Sequence, residues 1–243
     1  MIAAIIQARC GSTRLPNKTF AEICGKPLIW HVINRLKKSQ KIDKIVLATT
    51  TNSKDDVLAD WAQNNKIYCY RGDENDVLSR FYYANEEIKA DYIVRITADD
   101  PFKDPEIIDQ AITLLIDNKC DYVCNNFPPS FPEGLDCEVF TSAVLKDMQE
   151  KSHDAYEREH VTQYIYHNIN SFKVMNLSNN TDLSHLRWTI DTDIDLEMTR
   201  RIYGALYKDD NDIFYMKDIL NFLKENPEIE KMNQQVERSA MYK

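Results

Sequence analysis

The chain has 243 residues, 43% of them hydrophobic, and a formal net charge of −9, which suits one large domain with a packed core. A net acidic chain argues against a nucleic-acid binder, which needs a basic face to release phosphate counterions, but it leaves room for a small polyanion in a local basic pocket. No stretch approaches the roughly 18 apolar residues that span a bilayer, and "MIAAII" is too short for a signal-peptide apolar region, so a cytoplasmic protein that meets no membrane is expected.

"MIAAII" (1–6) reads as a short buried strand. Directly behind it comes "QARCGSTRLPNK" (7–18), with the cations Arg9, Arg14 and Lys18 around Gly11, Ser12 and Thr13. "LIWHVINRLKKS" (28–39) has helical spacing and ends in lysines, as a helix C-terminus prefers. A second buried strand, "KIVLATT" (44–50), is followed by a helix over 53–65 with Ser53 as its N-cap. A strand over 66–71 precedes a helix over 75–88. A strand over 91–100, ending in acids, precedes a helix over 104–118 with proline in its first turn. "DYVCNN" (121–126) is a fifth strand.

Beyond 125 the rhythm changes. A proline-rich loop (127–140) leads into a strand, and helices are expected over 142–152 and 155–169, strands over 172–179 and 186–191, and closing helices over 193–207 and 215–227. Near-continuous apolar strands alternating with helices point to an α/β sandwich with a mostly parallel sheet. The expected organisation is a single domain over 1–225 with an arm or acceptor region at about 126–189, followed by a polar, frayed tail over 226–243. The six cysteines are scattered without a CxxC pair, so neither a zinc site nor a disulfide framework is indicated; Cys120 and Cys124 read as core.

In open α/β sheets, ligands sit beyond the carboxyl ends of the strands, which makes the loop after the first strand the expected site. Gly11 allows tight turning and an anion nest, Arg9, Arg14 and Lys18 could neutralise a triphosphate, and Ser12 and Thr13 donate hydrogen bonds. Neither GxxxxGK[ST] nor GxGxxG occurs at this loop, which removes the main support for an ATPase or a dinucleotide oxidoreductase. "TADDP" places Asp99 and Asp100 on the same sheet edge, and "WTIDTDIDLE" places Asp191 and Asp193 at the end of another expected strand. Asp99 and Asp191 are the candidate Mg²⁺ ligands, whereas Asp193 and Asp195 read as caps of the following helix.

These segments resemble the cytidylyltransferases that include CMP-KDO synthetase and CMP-acylneuraminate synthetase. Ala8, Arg9, Ser12, Thr13, Arg14, Leu15, Pro16 and Lys18 match the family's basic loop, and Gly25, Lys26, Pro27, Ile29 and His31 match the segment after it. "TADDP" stands at the family's first metal segment and "IDTDIDLE" at its second, which carries the metal roles onto Asp99 and Asp191. "RGDENDVLSRF", "PEGLDCEVF" and "EREHVTQYIY" resemble segments of the spore-coat polysaccharide F-like subgroup. Ala98 stands where the family usually has glycine, and Asp193 where it has proline.

The resemblance implies a three-layer α/β nucleotidyltransferase domain (Rossmann-like, GT-A-related) with an inserted arm that often mediates dimerisation, so a homodimer is expected. It also implies CTP and a small-molecule acceptor as substrates, Mg²⁺ as cofactor, and attack of an acceptor oxygen on the α-phosphorus. Arg9, Arg14, Lys18 and Asp99 become the candidate catalytic residues. Ala8, Gly11, Ser12 and Ala98 join the three cations as candidate nucleotide contacts.

Arg71 and Arg80, flanking "GDENDVL", either contact the base or phosphates or form surface ion pairs. Asp136 and Glu138 fall two apart and are expected to share a strand face, where they either bind acceptor hydroxyls, contribute to the metal site or form a solvated acidic edge. Arg158 and His160 fall near the start of an expected helix, where an anionic acceptor could dock. His153, His160 and His167 recur every seven residues and read as packing on one helix face. The rival to the cytidylyltransferase is a metal-dependent glycosyltransferase with Asp191-Thr192-Asp193 as its DxD motif; a non-catalytic binding module is the third possibility.

Overall fold

The computed structural model describes residues 1–11 and 14–239. Its first half alternates strands and helices: β1 (Ile2–Gln7), the short antiparallel pair β2 (Glu22–Ile23) and β3 (Lys26–Pro27), α1 (Leu28–Leu36), β4 (Lys44–Thr50), α2 (Asp56–Asn64), β5 (Tyr68–Gly72), α3 (Val77–Ile88), β6 (Tyr92–Thr97), α4 (Pro105–Asn118) and β7 (Tyr122–Cys124). The second half adds β8 (Glu138–Thr141), α5 (Ser142–Lys151), α6 (Ala155–His160), α7 (Gln163–His167), β9 (Val174–Asn176), α8 (Asp193–Leu206), α9 (Met216–Glu225) and α10 (Pro227–Glu230).

The seven-stranded sheet runs β5-β4-β1-β6-β8-β7-β9, and β8 lies antiparallel between β6 and β7 while the remaining pairings are parallel. β1 is at the centre, and Ala3, Ala4, Ile5 and Ile6 are fully buried, as a strand covered on both faces requires. Alternation along it feeds two cores. Ala4 and Ile6 pack with α1, α2 and α4, whereas Ile5 packs with α3 and α5. A third core, around Leu28, Phe102, Trp188, Tyr203 and Leu223, joins the first half to α8 and α9. This is the α/β sandwich with a mostly parallel sheet that the strand–helix rhythm indicated. No helix among the described residues is long and apolar enough to cross a membrane.

Several local expectations give way to tertiary contacts. The 53–65 helix begins as a 3-10 turn capped by Asn52 rather than Ser53, because Asp55 is drawn inside to bind the Cys10 amide and the Thr50 hydroxyl. The expected 155–169 helix breaks at Val161, whose backbone adopts φ 58° while its side chain is fully buried. His153, His160 and His167 therefore share no helix face; His167 instead pairs with Glu157 at 2.7 Å.

Residues 186–191 form no strand. Their backbone bonds go to the Glu133 loop and to Asp99, with one isolated bridge between Glu133 and Arg187. Segment 126–189 is woven into the sheet through β8 and β9 rather than standing apart as an arm. Nor does the tail fray through Ser239: Ile229 enters the third core and Asn233 is buried.

His31 on α1 shows how these cores respond to pH. Its Nε2 lies 2.8 Å from the Ile23 carbonyl and its ring sits edge-on to Tyr203. Burial pushes its pKa down to about 4; the Ile23 carbonyl opposes the shift and Arg35 adds to it. As pH falls below about 6.5, the unfolded chain takes up the proton first, so stability is complete above that pH and is lost on the way down to about 4. At about 1.4 kcal/mol per pH unit the loss amounts to roughly 3 kcal/mol. His31→Gln, which retains a donor for the Ile23 carbonyl, is expected to flatten that part of the profile in urea unfolding series; an unchanged slope would assign the pH dependence elsewhere.

Candidate active site

β1 pairs with β4 on one side and with β6 on the other, which makes the β1–β6 boundary the switch point where open α/β sheets bind ligands. Gln7 lies opposite Thr97 in that ladder, so the loops leaving the two strands start side by side. A cavity of about 390 Å³ opens there, lined among others by Ala8, Arg9, Gly11, Arg14, Lys18, Ala98, Asp99 and Asp191.

The basic loop is tied down at several points. The Cys10 amide donates to Asp55 at 2.7 Å, and the Thr19 hydroxyl donates to the Arg9 carbonyl at 3.2 Å. Leu15 packs on the third core, and Asn17 turns the chain with φ 57° before Lys18. Gly11 does not use the left-handed backbone, and among the described residues a Cβ there would meet only Glu74 Oε1 at 3.9 Å. Ser12 and Thr13 lie outside the described residues.

Lys18 is the meeting point. Its Nζ donates to Asp99 Oδ2 at 2.8 Å, to Asp191 Oδ1 at 3.0 Å and to the Ile190 carbonyl at 3.0 Å. Burial alone would lower the Lys18 pKa, but the charges of Asp99 and Asp191 outweigh it and hold the ammonium above its ordinary value. Burial likewise opposes ionisation of Asp99, and Lys18 reverses the balance, so this carboxylate stays ionised below the usual range. Arg14 reaches Asp191 Oδ1 at 2.9 Å, and Arg187 holds the other oxygen, Oδ2, at 2.9 Å.

Asp99 and Asp191 are 92 positions apart in sequence, yet one backbone bond sets them side by side: the Ile190 amide donates to the Asp99 carbonyl at 2.9 Å. On the far side of that segment, Gly134 takes φ +106°, and a Cβ there would come within 2.7 Å of the Thr189 amide nitrogen. The neighbouring acid, Asp100, points away from the cleft to Lys103 at 2.8 Å, and burial raises its pKa to about 6.

The other candidates divide. Arg80 lines the cavity and is almost wholly buried; its NH1 donates to the Asp73 and Glu74 carbonyls, while its Nε has no partner among the described residues. Burial, and then the charge of Arg9, lowers its pKa. His160 also lines the cavity, and burial lowers its pKa. Arg71 lies away from the cavity lining and is engaged by the Thr50 and Asn52 carbonyls and by Asp56.

Arg158 belongs to the last turn of α6, not to a helix start, and is held by Asp76 at 2.6 Å and by Gln149. Asp136 precedes β8 and closes its own turn by accepting from the Gly134 amide, so it shares no strand face with Glu138. Glu138 is buried among Arg95, Tyr122 and Thr162, which makes it neither an acceptor contact nor a solvated edge. Asp193 is exposed on the first turn of α8, while Thr192 and Asp195 form a capping box there.

Sequence reasoning missed Asp55, Gly134 and Arg187, which position the site rather than line its charged centre. Arg187 had one local signal: it precedes Asp191 by four residues.

A mostly parallel sheet with a cationic loop and two aspartates at its switch point suits nucleotidyl transfer. The comparisons narrow the class: the cytidylyltransferase family matches residues 3–225, and the chain belongs to that family. The solved structure of a cytidylyltransferase from Leptospira borgpetersenii superposes with a TM-score of 0.90 at 32% identity, covering 98% of this chain and 99% of that one. The spore coat polysaccharide biosynthesis protein SpsF of Bacillus subtilis is 33% identical over 210 residues, 83% of this chain and 86% of that protein. An uncharacterised protein of Methanocaldococcus jannaschii is 37% identical over 241 residues, 98% of this chain and 97% of its own length.

Gly134→Ala is expected to lower stability by about 1–3 kcal/mol from backbone strain alone and to weaken nucleotide binding by displacing the 188–191 segment. Urea unfolding with a parallel CTP titration checks both; an alanine variant with wild-type stability would mean that the loop yields without moving Asp191.

Proposed function

We propose that this enzyme transfers CMP from CTP to a small-molecule acceptor, a sugar acid or a phosphorylated compound, with release of pyrophosphate, in the synthesis of a surface polysaccharide. One observation carries the reading: the Lys18 ammonium bonds both Asp99 and Asp191 at the β1–β6 switch point, with Arg14 on the same carboxylate. Family membership supports cytidylyl transfer, and the relation to SpsF supports the polysaccharide context.

The residues present suit Mg²⁺. Asp99 and Asp191 offer two converging hard oxygen donors, and no group of three or more potential ligands occurs among the described residues. That is the donor set Mg²⁺ takes when substrate phosphates and waters complete its shell. Bound there, the ion would neutralise charge on the phosphate oxygens.

The protein's own share is positioning and charge. Arg9, Arg14 and Lys18 hold the triphosphate and stabilise pyrophosphate as it leaves. The acceptor oxygen forms a new bond to the α-phosphorus in line with the bond to the leaving pyrophosphate, which breaks. Arg80, with its Nε unpaired among the described residues, and His160 line the remainder of the cleft as contacts for nucleotide and acceptor. The glycosyltransferase alternative loses its DxD pair, because Asp193 is exposed and absent from the cavity lining.

Thermal unfolding with CTP, UTP, ATP or UDP-glucose, each with Mg²⁺, tests the substrate. A hundredfold excess over Kd adds about 2.7 kcal/mol, or about 5–10 °C for a chain of this size. CTP is expected to give that shift and Lys18→Ala to abolish it; a shift for UDP-glucose without one for CTP would favour the glycosyltransferase. Once an acceptor is in hand, Lys18→Ala and Asp99→Ala are each expected to lower kcat about 10²–10³-fold with the circular dichroism spectrum unchanged. Wild-type turnover in either variant would refute the site.

A further inference from the structure

The cytidylyltransferase family matches the chain only as far as residue 225, yet the segment that follows makes buried polar contacts of its own. Asn233, 3% exposed, donates through Nδ2 to Asp195 Oδ1 at 2.8 Å and to the Arg187 carbonyl at 3.0 Å. Arg238 donates from Nε to Glu133 Oε2 at 3.1 Å and from NH2 to the Leu186 carbonyl at 3.0 Å. The Ser239 amide donates to Glu133 Oε1 at 3.1 Å.

All of these contacts converge on one guanidinium. Arg187, whose side chain is 3% exposed, pairs with Glu133 at 3.0 Å, with Asp195 at 3.2 Å and with Asp191 Oδ2 at 2.9 Å. Asp195 in turn accepts the Asp191 and Thr192 amides through Oδ2, at 3.1 and 2.9 Å. Asp191 is therefore clamped at its backbone nitrogen and at one carboxylate oxygen, which leaves Oδ1 turned to Lys18 and Arg14 in the cleft. Asn233 shares Oδ1 of Asp195 with Arg187, and Arg238 shares Glu133 with it, so each takes part in fixing the clamp.

We propose that residues 226–239 form a strap that orients Asp191 for the cleft, with Asn233 and Arg238 as positioning residues acting through Asp195, Glu133 and Arg187. The idea rests on the reading of Asp191 as a metal ligand. Partners that orient a ligating carboxylate alter metal affinity by about 10–100-fold when removed. They leave contacts of the triphosphate with Arg9 and Lys18 in place.

The test is a Mn²⁺ titration of the full chain with saturating CTP, with free ion read by electron paramagnetic resonance, alongside CTP affinity measured in EDTA. Asn233→Ala and Arg238→Ala are expected to weaken Mn²⁺ about 10–100-fold while metal-free CTP affinity changes less than about twofold. Arg238→Lys, which retains a donor for Glu133, is expected to recover most of the loss, and Asn233→Ser serves the same purpose if the alanine variant fails to fold. Wild-type Mn²⁺ affinity in the tail variants, with affinity lost in Asp191→Asn, would overturn the strap and leave the metal assignment standing. Wild-type affinity in Asp191→Asn would overturn both.

Discussion

The site is organised by the ammonium of Lys18, held between two carboxylates from distant parts of the chain. Asp99 leaves the end of β6, Asp191 precedes α8, and Lys18 ends the loop after β1. Like charges this close would repel in a partly dry cleft, and the lysine, with Arg14 and Arg187 on Asp191, offsets that repulsion. The same balance suits the proposed chemistry. A cleft lined by two converging aspartates and by Arg9, Arg14, Lys18 and Arg80 can accept a metal ion and a triphosphate together.

Backbone bonds and buried charge place these three residues. The β1–β6 ladder aligns the two loops, Asp55 holds the Cys10 amide, and the Ile190 amide binds the Asp99 carbonyl. Gly134 lets its loop approach Thr189 closely enough to support that last contact. Arg187 works from behind, buried among three carboxylates. A cation so placed contributes less to net stability than to a single arrangement of its partners, since removal of any one of them strands the others in a dry interior.

What was legible in the residues followed from local pattern. β1, β4 and β6 are apolar runs that only a two-sided core can bury, so the sheet and its ligand edge could be read directly. The Arg9–Lys18 loop and Asp99 followed from that edge. What escaped depended on partners far away in sequence. Arg71 stands open between a ligand contact and an ion pair until Asp56 is seen beside it, Arg158 looks like a free cation until Asp76 is, and Glu138 looks like an edge acid until Arg95 reaches it. The 186–191 stretch has a strand's composition, but its neighbours are a loop and a strand end, so no ladder forms. The tail looks polar and frayed because Asn233 and Arg238 show no periodic signal; their role is set wholly by Asp195 and Glu133.

The most direct check is a crystal structure of the chain with CTP and Mg²⁺. It should show the metal bound by both Asp99 and Asp191, the triphosphate along Arg9, Arg14 and Lys18, and the Lys18 ammonium shifted from the carboxylates onto phosphate. A nucleotide bound away from the β1–β6 cleft, or a metal that engages neither aspartate, would contradict the site and the chemistry built on it.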